Sequence, residues 1–341
     1  MSDHKPILVT GGTGLLGSYL LRYLVRKGAG PIRALRRKDS PMDLVASVKD
    51  RVEWVEGDVL DLFALESAMK GVGGVYHCAA VVTSDPRRHS EMMEVNKEGT
   101  ANVVNLALEE GIDKLVHVSS IAALGRRKNL TTIDENTKWE RSSWNSRYAI
   151  SKYQSEMEVW RGCAEGLKVA IVNPSVILGG GYWDRGVAAV FKKIWEGYRF
   201  YPLGTTGYVD ARDVARFMVQ LMESEVENER FVLNAANLSY RDFFAQIAQN
   251  LHKKAPDVPV GPFLKELFWR ADWLRGLFTG ERLITKERAE YTSRTFLYDA
   301  TKSEKVFNFQ YTPIAQTIAE MSTLLRESAA RQWQPACLPL I

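Results

Sequence analysis

The run Thr10-Gly11-Gly12-Thr13-Gly14-Leu15-Leu16-Gly17 constrains this chain more than any other stretch. It follows the apolar Ile7-Leu8-Val9 and opens a segment, Leu15 to Lys27, whose apolar residues recur at helical spacing up to Gly28. Glycines so placed allow a tight strand-to-helix turn, close approach of backbone to a phosphate, and close packing of the helix. The helix amino terminus adds free N–H groups and the positive end of its dipole. Gly11, Thr13, Gly14, Leu15 and Leu16 are therefore candidate contacts for a dinucleotide pyrophosphate.

The pattern that follows supplies the fold. Strands are predicted at Ile32–Arg36, Val52–Val55, Gly74–Cys78, Leu115–Ser119 and Val169–Val172. Helices are predicted between them at Asp61–Met69, Glu91–Glu110 and from Tyr148 to about Cys163. Such alternation means an α/β fold, a Rossmann-type doubly wound parallel sheet covered on both faces. After Pro174 the alternation breaks at Gly179-Gly180-Gly181, and helices are predicted at Val187–Trp195 and Val214–Met222, with a strand at Phe231–Asn234. The division predicted is a nucleotide-binding domain over 1–174, to which 205–236 returns. A smaller, mostly helical substrate lobe takes 175–204 and 237–330, 331–341 is a tail, and its end from Pro335 to Ile341 is expected to fray.

The chain has 341 residues, 45% hydrophobic and 25% charged, an ordinary soluble composition. The formal charge of +4 is spread out, and clusters such as Arg126-Arg127-Lys128 are too short to argue for nucleic acid. Three cysteines fit a reducing compartment without disulfides, and the five histidines lack metal-ligand spacing, so no metal is assigned. The polar Met1 to Pro6 and the short apolar run after it give no leader or membrane span, which makes the cytoplasm the expected location.

Two further features carry chemistry. The second strand ends in Arg36-Arg37-Lys38, where guanidinium groups suit the 2′-phosphate of NADP(H), while Asp39 leaves NAD(H) open. Gly57-Asp58-Val59 follows the third strand, in position for an adenine amine. Tyr148 and Lys152, four apart, share one helix face, and an ammonium beside a phenol favours its ionised form. A tyrosine tuned in this way exchanges a proton with a substrate oxygen near neutral pH.

With these residues together, the chain resembles the extended short-chain dehydrogenase/reductase family, part of the NAD-dependent epimerase/dehydratase superfamily. The resemblance rests on the glycine turn, Gly57-Asp58, His77-Cys78-Ala79-Ala80, the run from Val95 to Asn102, Val118-Ser119-Ser120, the Tyr148–Lys152 pair and Tyr208 to Ala215. Ile32 to Arg37 and Ser119-Ser120-Ile121 are most similar to its dihydroflavonol-reductase and 3β-hydroxysteroid-dehydrogenase-like branch. The resemblance implies a catalytic set of Ser120, Tyr148 and Lys152. Ser120 would polarise the substrate oxygen, Tyr148 would donate the proton, and Lys152 would lower the tyrosine's pKa and hold the nicotinamide ribose. It implies cofactor contacts from Cys78, Ala79, Ala80, Ser119 and Pro174 to Val176, with Asn96 supporting the site. It also implies homodimers paired through the long helices beginning near Glu91 and Tyr148.

The family contains other chemistries, so reaction type is argued from residues. Ile121-Ala122 after Ser120 cannot move protons as a dehydratase acid pair would. Arg36-Arg37 argue against an epimerase with tightly bound NAD, although Asn173 before Pro174 is similar to one. A non-catalytic NADP-binding sensor or scaffold is the reading of another class, and retention of both Tyr148 and Lys152 argues against it. The expectation is hydride transfer between a ketone or aldehyde and an alcohol on an apolar small molecule. The aromatic and basic stretch Phe263 to Phe278 is expected to roof the substrate pocket, to lie on a membrane surface, or to form lobe core.

Overall fold

The computed structural model describes residues 5–128, 130–279 and 285–341. The expectations for Met1–His4, and for the side chain of Phe278, lie outside the described residues. Strand β1 (Ile7–Thr10) turns at once into helix α1 (Leu15–Lys27), which Gly28 closes in the left-handed conformation at φ 69°. Then come β2 (Ile32–Arg36), β3 (Glu53–Glu56), α2 (Leu62–Met69) and β4 (Gly74–His77). Asp61 caps α2, its carboxylate accepting from the Ala64 N–H at 3.1 Å.

The helix predicted over Glu91–Glu110 is not continuous. It begins as α3 (His89–Met93), passes through a π-helical turn at Glu94–Glu98, and continues as α4 (Gly99–Glu109). The chain then forms β5 (Lys114–Val118), the short β6 (Thr132–Ile133), α5 (Arg147–Ala164) and β7 (Val169–Pro174). Next are β8 (Val176–Leu178), α6 (Ala188–Trp195), β9 (Phe200–Tyr201), β10 (Thr205–Asp210), α7 (Ala211–Glu223) and β11 (Glu229–Leu233).

Seven strands form the parallel central sheet in the order β3-β2-β1-β4-β5-β7-β11. The chain winds outward from β1 in both directions, so the crevice beside β1 and β4 is a topological switch point, where this architecture binds ligands. Alternation along each strand divides the core between the faces. Val9 and Val172 enter one cluster with Tyr19, Leu20, Val214 and Phe217 of α1 and α7. Leu8 and Ile171 enter the other with Leu65, Val104 and Val159 of α2, α4 and α5.

From the segment 205–236, α7 and β11 join this body, whereas β10 pairs with β8 and with β12 (Ala236–Ser239) in a separate three-stranded sheet. The lobe continues through α8 (Tyr240–Asn250), β13 (Val258–Pro259), α9 (Pro262–Thr279), α10 (Lys286–Thr292), β14 (Leu297–Tyr298), α11 (Thr301–Val306) and α12 (Ile314–Ala330). Along α9, Phe263, Leu267 and Leu274 are exposed in one stripe, while Phe268 meets the Phe200 ring edge-on at 5.0 Å. No helix among the described residues is long and apolar enough to cross a membrane.

The tail corrects an expectation, because it does not fray. Leu338 is buried in the core, and its N–H donates to the Tyr19 hydroxyl at 2.7 Å. The Leu338 carbonyl accepts from Arg22 at 3.0 Å, and the Ala336 N–H donates to the Gly181 carbonyl. One apolar side chain with a core seat, supported by backbone hydrogen bonds, outweighs the entropy that frees most chain ends.

Candidate active site

The glycine turn is built by contact. Gly11 has φ 70°, and a Cβ there would lie 2.7 Å from the Ala79 nitrogen. A Cβ on Gly17 would run into the Gly11 carbonyl oxygen. The Gly14 N–H donates to Gly11, and the first helical rung runs from Ser18 to Gly14. The N–H groups of Leu15, Leu16 and Gly17 therefore precede the helical ladder, and no side chain caps them. They open beside Cys78, Ala79 and Ala80 at the end of β4, where the Thr10 hydroxyl accepts from the Ala79 N–H at 3.3 Å. This arrangement fits a dinucleotide pyrophosphate: close backbone, unsatisfied donors and a positive helix end.

Arg36, Arg37, Asp58 and Val59 gather at the ends of β2 and β3. Arg36 donates to the Lys38 carbonyl at 3.1 Å and lies 4.0 Å from Glu56. The exposed Arg37 stands 3.9 Å from Asp58. Both guanidinium groups are only loosely engaged.

Beneath the turn lies a buried polar chain. His77 on β4 shares hydrogen bonds with Thr10 (2.8 Å) and Thr100 (2.9 Å) through its two ring nitrogens. Thr100 continues to Ser155 at 2.8 Å. Burial holds the His77 imidazole down at about 3, with the Lys152 charge adding to the effect, so the ring is neutral at physiological pH. Asn96 clamps the chain after β4: its Oδ1 accepts from the Val81 N–H (2.7 Å), and its Nδ2 donates to the Val81 carbonyl and to Ser151, each at 3.0 Å.

Ser120, Tyr148 and Lys152 come together where β5 ends. Ser146 caps α5 by accepting from the Ala149 N–H at 2.9 Å, which sets Tyr148 in the first turn, near the positive helix end. The Tyr148 phenol faces Ser120, whose hydroxyl pulls the phenol's pKa down. The Ser120 hydroxyl also accepts from the Ala122 N–H at 3.1 Å, whereas Ser119 turns away to Glu156. Lys152 is 2% exposed, and its Nζ donates to the Val118 carbonyl at 2.9 Å.

The electrostatics depart from the expectation that Lys152 lowers the tyrosine. Burial raises the Tyr148 pKa, and the opposing pulls come from the Ser120 hydrogen bond and the Arg126 charge, against a raising contribution from Tyr291. Lys152 is itself lowered to about 8 by burial, resisted by Glu156 and Cys78. The Cys78 thiol is pushed up to about 12 by burial, so it stays protonated beside the cofactor cradle.

Two site groups escaped the sequence reading. Glu156 is fully buried and accepts from Ser119 (2.6 Å), Asn173 (2.9 Å), Arg230 (3.0 Å) and Trp160 (3.3 Å). Its signal was available, since it continues the Tyr148–Lys152 stripe by one more helical turn. Asn173 also donates to the Ser120 carbonyl at 3.0 Å, tying the ends of β5 and β7 together. Arg126 was counted among surface charges; it is 4% exposed and donates to Tyr291 and Tyr298 from the lobe. Pro174 ends β7, and the Ser175 N–H donates to Leu233 before Val176 starts β8. Among the described residues, no group of three or more His, Cys, Asp or Glu is placed to hold a metal ion.

The sequence profile of the NAD dependent epimerase/dehydratase family matches residues 7–235. A putative dihydroflavonol 4-reductase of Synechocystis sp. is 26% identical over 321 residues, covering 92% of each chain. Cinnamoyl-CoA reductase 1 of Petunia hybrida is 27% identical over 270 residues, 75% of this chain and 79% of that one. Among solved structures, the dTDP-glucose 4,6-dehydratase DesIV of Streptomyces venezuelae, with NAD and TYD bound, superposes with a TM-score of 0.76. It shares 20% identity over 96% of this chain and 98% of its own, a likeness that speaks for the fold alone. The profile spans the glycine turn, Ser120, Tyr148 and Lys152 together: the chain belongs to the NAD dependent epimerase/dehydratase family.

Proposed function

We propose that this protein is an NAD(P)(H)-dependent oxidoreductase that interconverts a ketone or aldehyde with an alcohol on a small, largely apolar molecule. The observation that carries the reading is the meeting of Tyr148 with Ser120 at the end of β5, with Lys152 on the next turn of α5 and anchored to the Val118 carbonyl. The named reductases among its relatives support the same reaction class. When bound, the cofactor supplies or accepts the hydride.

The chain's own residues do the rest. Ser120 holds the substrate oxygen and orients the Tyr148 hydroxyl. Tyr148, kept protonated by burial, gives its proton as the oxygen gains charge. Lys152, anchored on the Val118 carbonyl, holds the ribose, and the Arg126 charge offsets the phenolate left behind. Glu156 fixes Ser119 and Asn173, and through them the ends of β5 and β7. The free N–H groups of α1 hold the pyrophosphate, and Asp58 the adenine. Arg36 and Arg37, loosely engaged where a 2′-phosphate would sit, favour NADP(H) over NAD(H). We assign the cofactor to 1–174 with 205–236, and the substrate to the lobe of 175–204 and 237–330.

Cofactor oxidation with a panel of ketones and aldehydes, run with NADPH and NADH in parallel, tests the reading. The expected result is turnover at least tenfold more efficient with NADPH. NAD that survives purification, together with interconversion of UDP-sugars, would contradict it.

A further inference from the structure

Arg126 has the chemistry of a ligand-binding residue. Its guanidinium is nine-tenths and more buried, yet among the described residues no carboxylate pairs with it. Its polar contacts are neutral: Nε and Nη2 donate to the Tyr298 hydroxyl (3.3 and 3.0 Å), and Nη2 to the Tyr291 hydroxyl (3.2 Å). Its faces lie against rings, 4.4 Å from the Tyr291 centroid and 5.2 Å from that of Phe296. No acceptor contacts Nη1 among the described residues. Hydroxyl groups and ring faces orient a cation but do not neutralise it, and an uncompensated buried charge is costly.

A second observation points to the same space. The Tyr208 hydroxyl is buried with no hydrogen-bond partner, and its ring is locked by stacking on Phe243 at 4.3 Å. Thr206, two residues earlier on the same side of β10, reaches the Tyr291 hydroxyl at 3.5 Å. The Arg126 N–H donates to Asn145 at 2.8 Å, three residues before Tyr148, and Tyr208 pairs in register with Val176, which brings the cation and the idle hydroxyl to the end of the reaction site.

We propose that Arg126, with Tyr291 and Tyr208, forms a buried subsite for a carboxylate carried by the substrate, beside the carbon that Tyr148 serves. The charge left unmatched there is that of Arg126. Arg294, the neighbouring cation, stacks on Trp144 at 4.0 Å and shares Glu290 (3.6 Å) with Lys265 (2.6 Å). One carboxylate matches the single charge of Arg126. The two N–H groups of Nη1, left without an acceptor among the described residues, suit a carboxylate oxygen. The substrate class becomes an oxo or hydroxy acid with an apolar body, an inference that rests on the reductase reading and sharpens it.

The test is isothermal titration of the full chain, with and without saturating NADP, using benzoate, 3-phenylpropionate and cyclohexanecarboxylate, each against its carboxamide. The expected result is at least one acid bound tenfold or more tightly than its amide. In Arg126→Met the preference falls to within twofold. Tyr208→Phe, which keeps the stacked ring, weakens the acid about threefold and leaves the amide unchanged, and it serves if Arg126→Met does not fold. Pairs bound alike by the native protein, no binding of any acid, or a preference intact in Arg126→Met or Tyr208→Phe would overturn the proposal. Acid preference without reduction of any carbonyl compound sinks the reductase reading instead, and carbonyl reduction with no acid preference sinks this one alone.

Discussion

Tyr148 keeps its proton because its surroundings penalise the phenolate, and it can lose that proton only as the reacting oxygen takes up charge. This alters the pH dependence expected of the site. In the reduction direction the acid must stay protonated, and burial holds the Tyr148 pKa up. The group that titrates first on the alkaline side is then Lys152, lowered to about 8. Below that value the ammonium is present; above it the charge that holds the ribose is lost. The efficiency of reduction is expected to be level from pH 6 to near 8 and to fall above it, and Lys152→Arg should carry that limb upward by a unit or more. A limb unmoved in Lys152→Arg would refute the assignment. At this scale the Tyr148–Lys152 pair could be read as one helix face, because helical spacing is a local property, whereas Ser120 was named through the family resemblance. Tyr291 and Tyr298 were not legible, since they reach Arg126 from more than a hundred residues away and leave no local trace. Arg126 itself was hidden inside a charged triplet of which only its own side chain turns inward.

The π-helical turn at Glu94–Glu98 shows how one element serves the site. Its extra residue carries the Gly99 N–H back to the Glu94 carbonyl and turns Asn96 toward the backbone of Val81. Gly99 lies where a Cβ would come within 2.5 Å of Val59, so the helix presses on the loop below β3. Asn96→Ala is expected to lower unfolding stability by about 2–3 kcal/mol, because the buried Val81 groups and Ser151 lose partners together. It should also weaken NADPH binding more than substrate binding. Urea denaturation and cofactor titration measure both, and a change under 0.5 kcal/mol with unaltered affinity would show the clamp to be idle. The sequence periodicity there reads as one unbroken helix, since a single inserted residue barely disturbs an apolar stripe. By contrast α1 and β2 occupy the stretches expected, with Gly28 ending α1 as a left-handed cap.

At the scale of the whole molecule, the strand order and the two-faced core follow from alternation and were readable early. How the chain's end is used was not. Leu338 belongs to a short proline-containing tail, and its seat is made by residues distant in sequence: the Tyr19 hydroxyl, Arg22 and the loop at Gly180–Gly181. Leu338→Ala is expected to lower stability by about 2–3 kcal/mol in denaturant titration; a loss under 0.5 kcal/mol would mean a free tail after all. We also propose a dimer paired through α4 and α5, for which light scattering should give twice the chain mass, and a monomeric mass would refute it. These features hold one cleft, in which the glycine turn faces Ser120, Tyr148 and Lys152, and the central claim concerns the proton delivered there. The most direct measurement compares native protein with Tyr148→Phe in NADPH oxidation by a carbonyl substrate, alongside NADPH affinity. The account predicts a loss in kcat of a hundredfold or more at unchanged affinity. Equal turnover by the two proteins would contradict it.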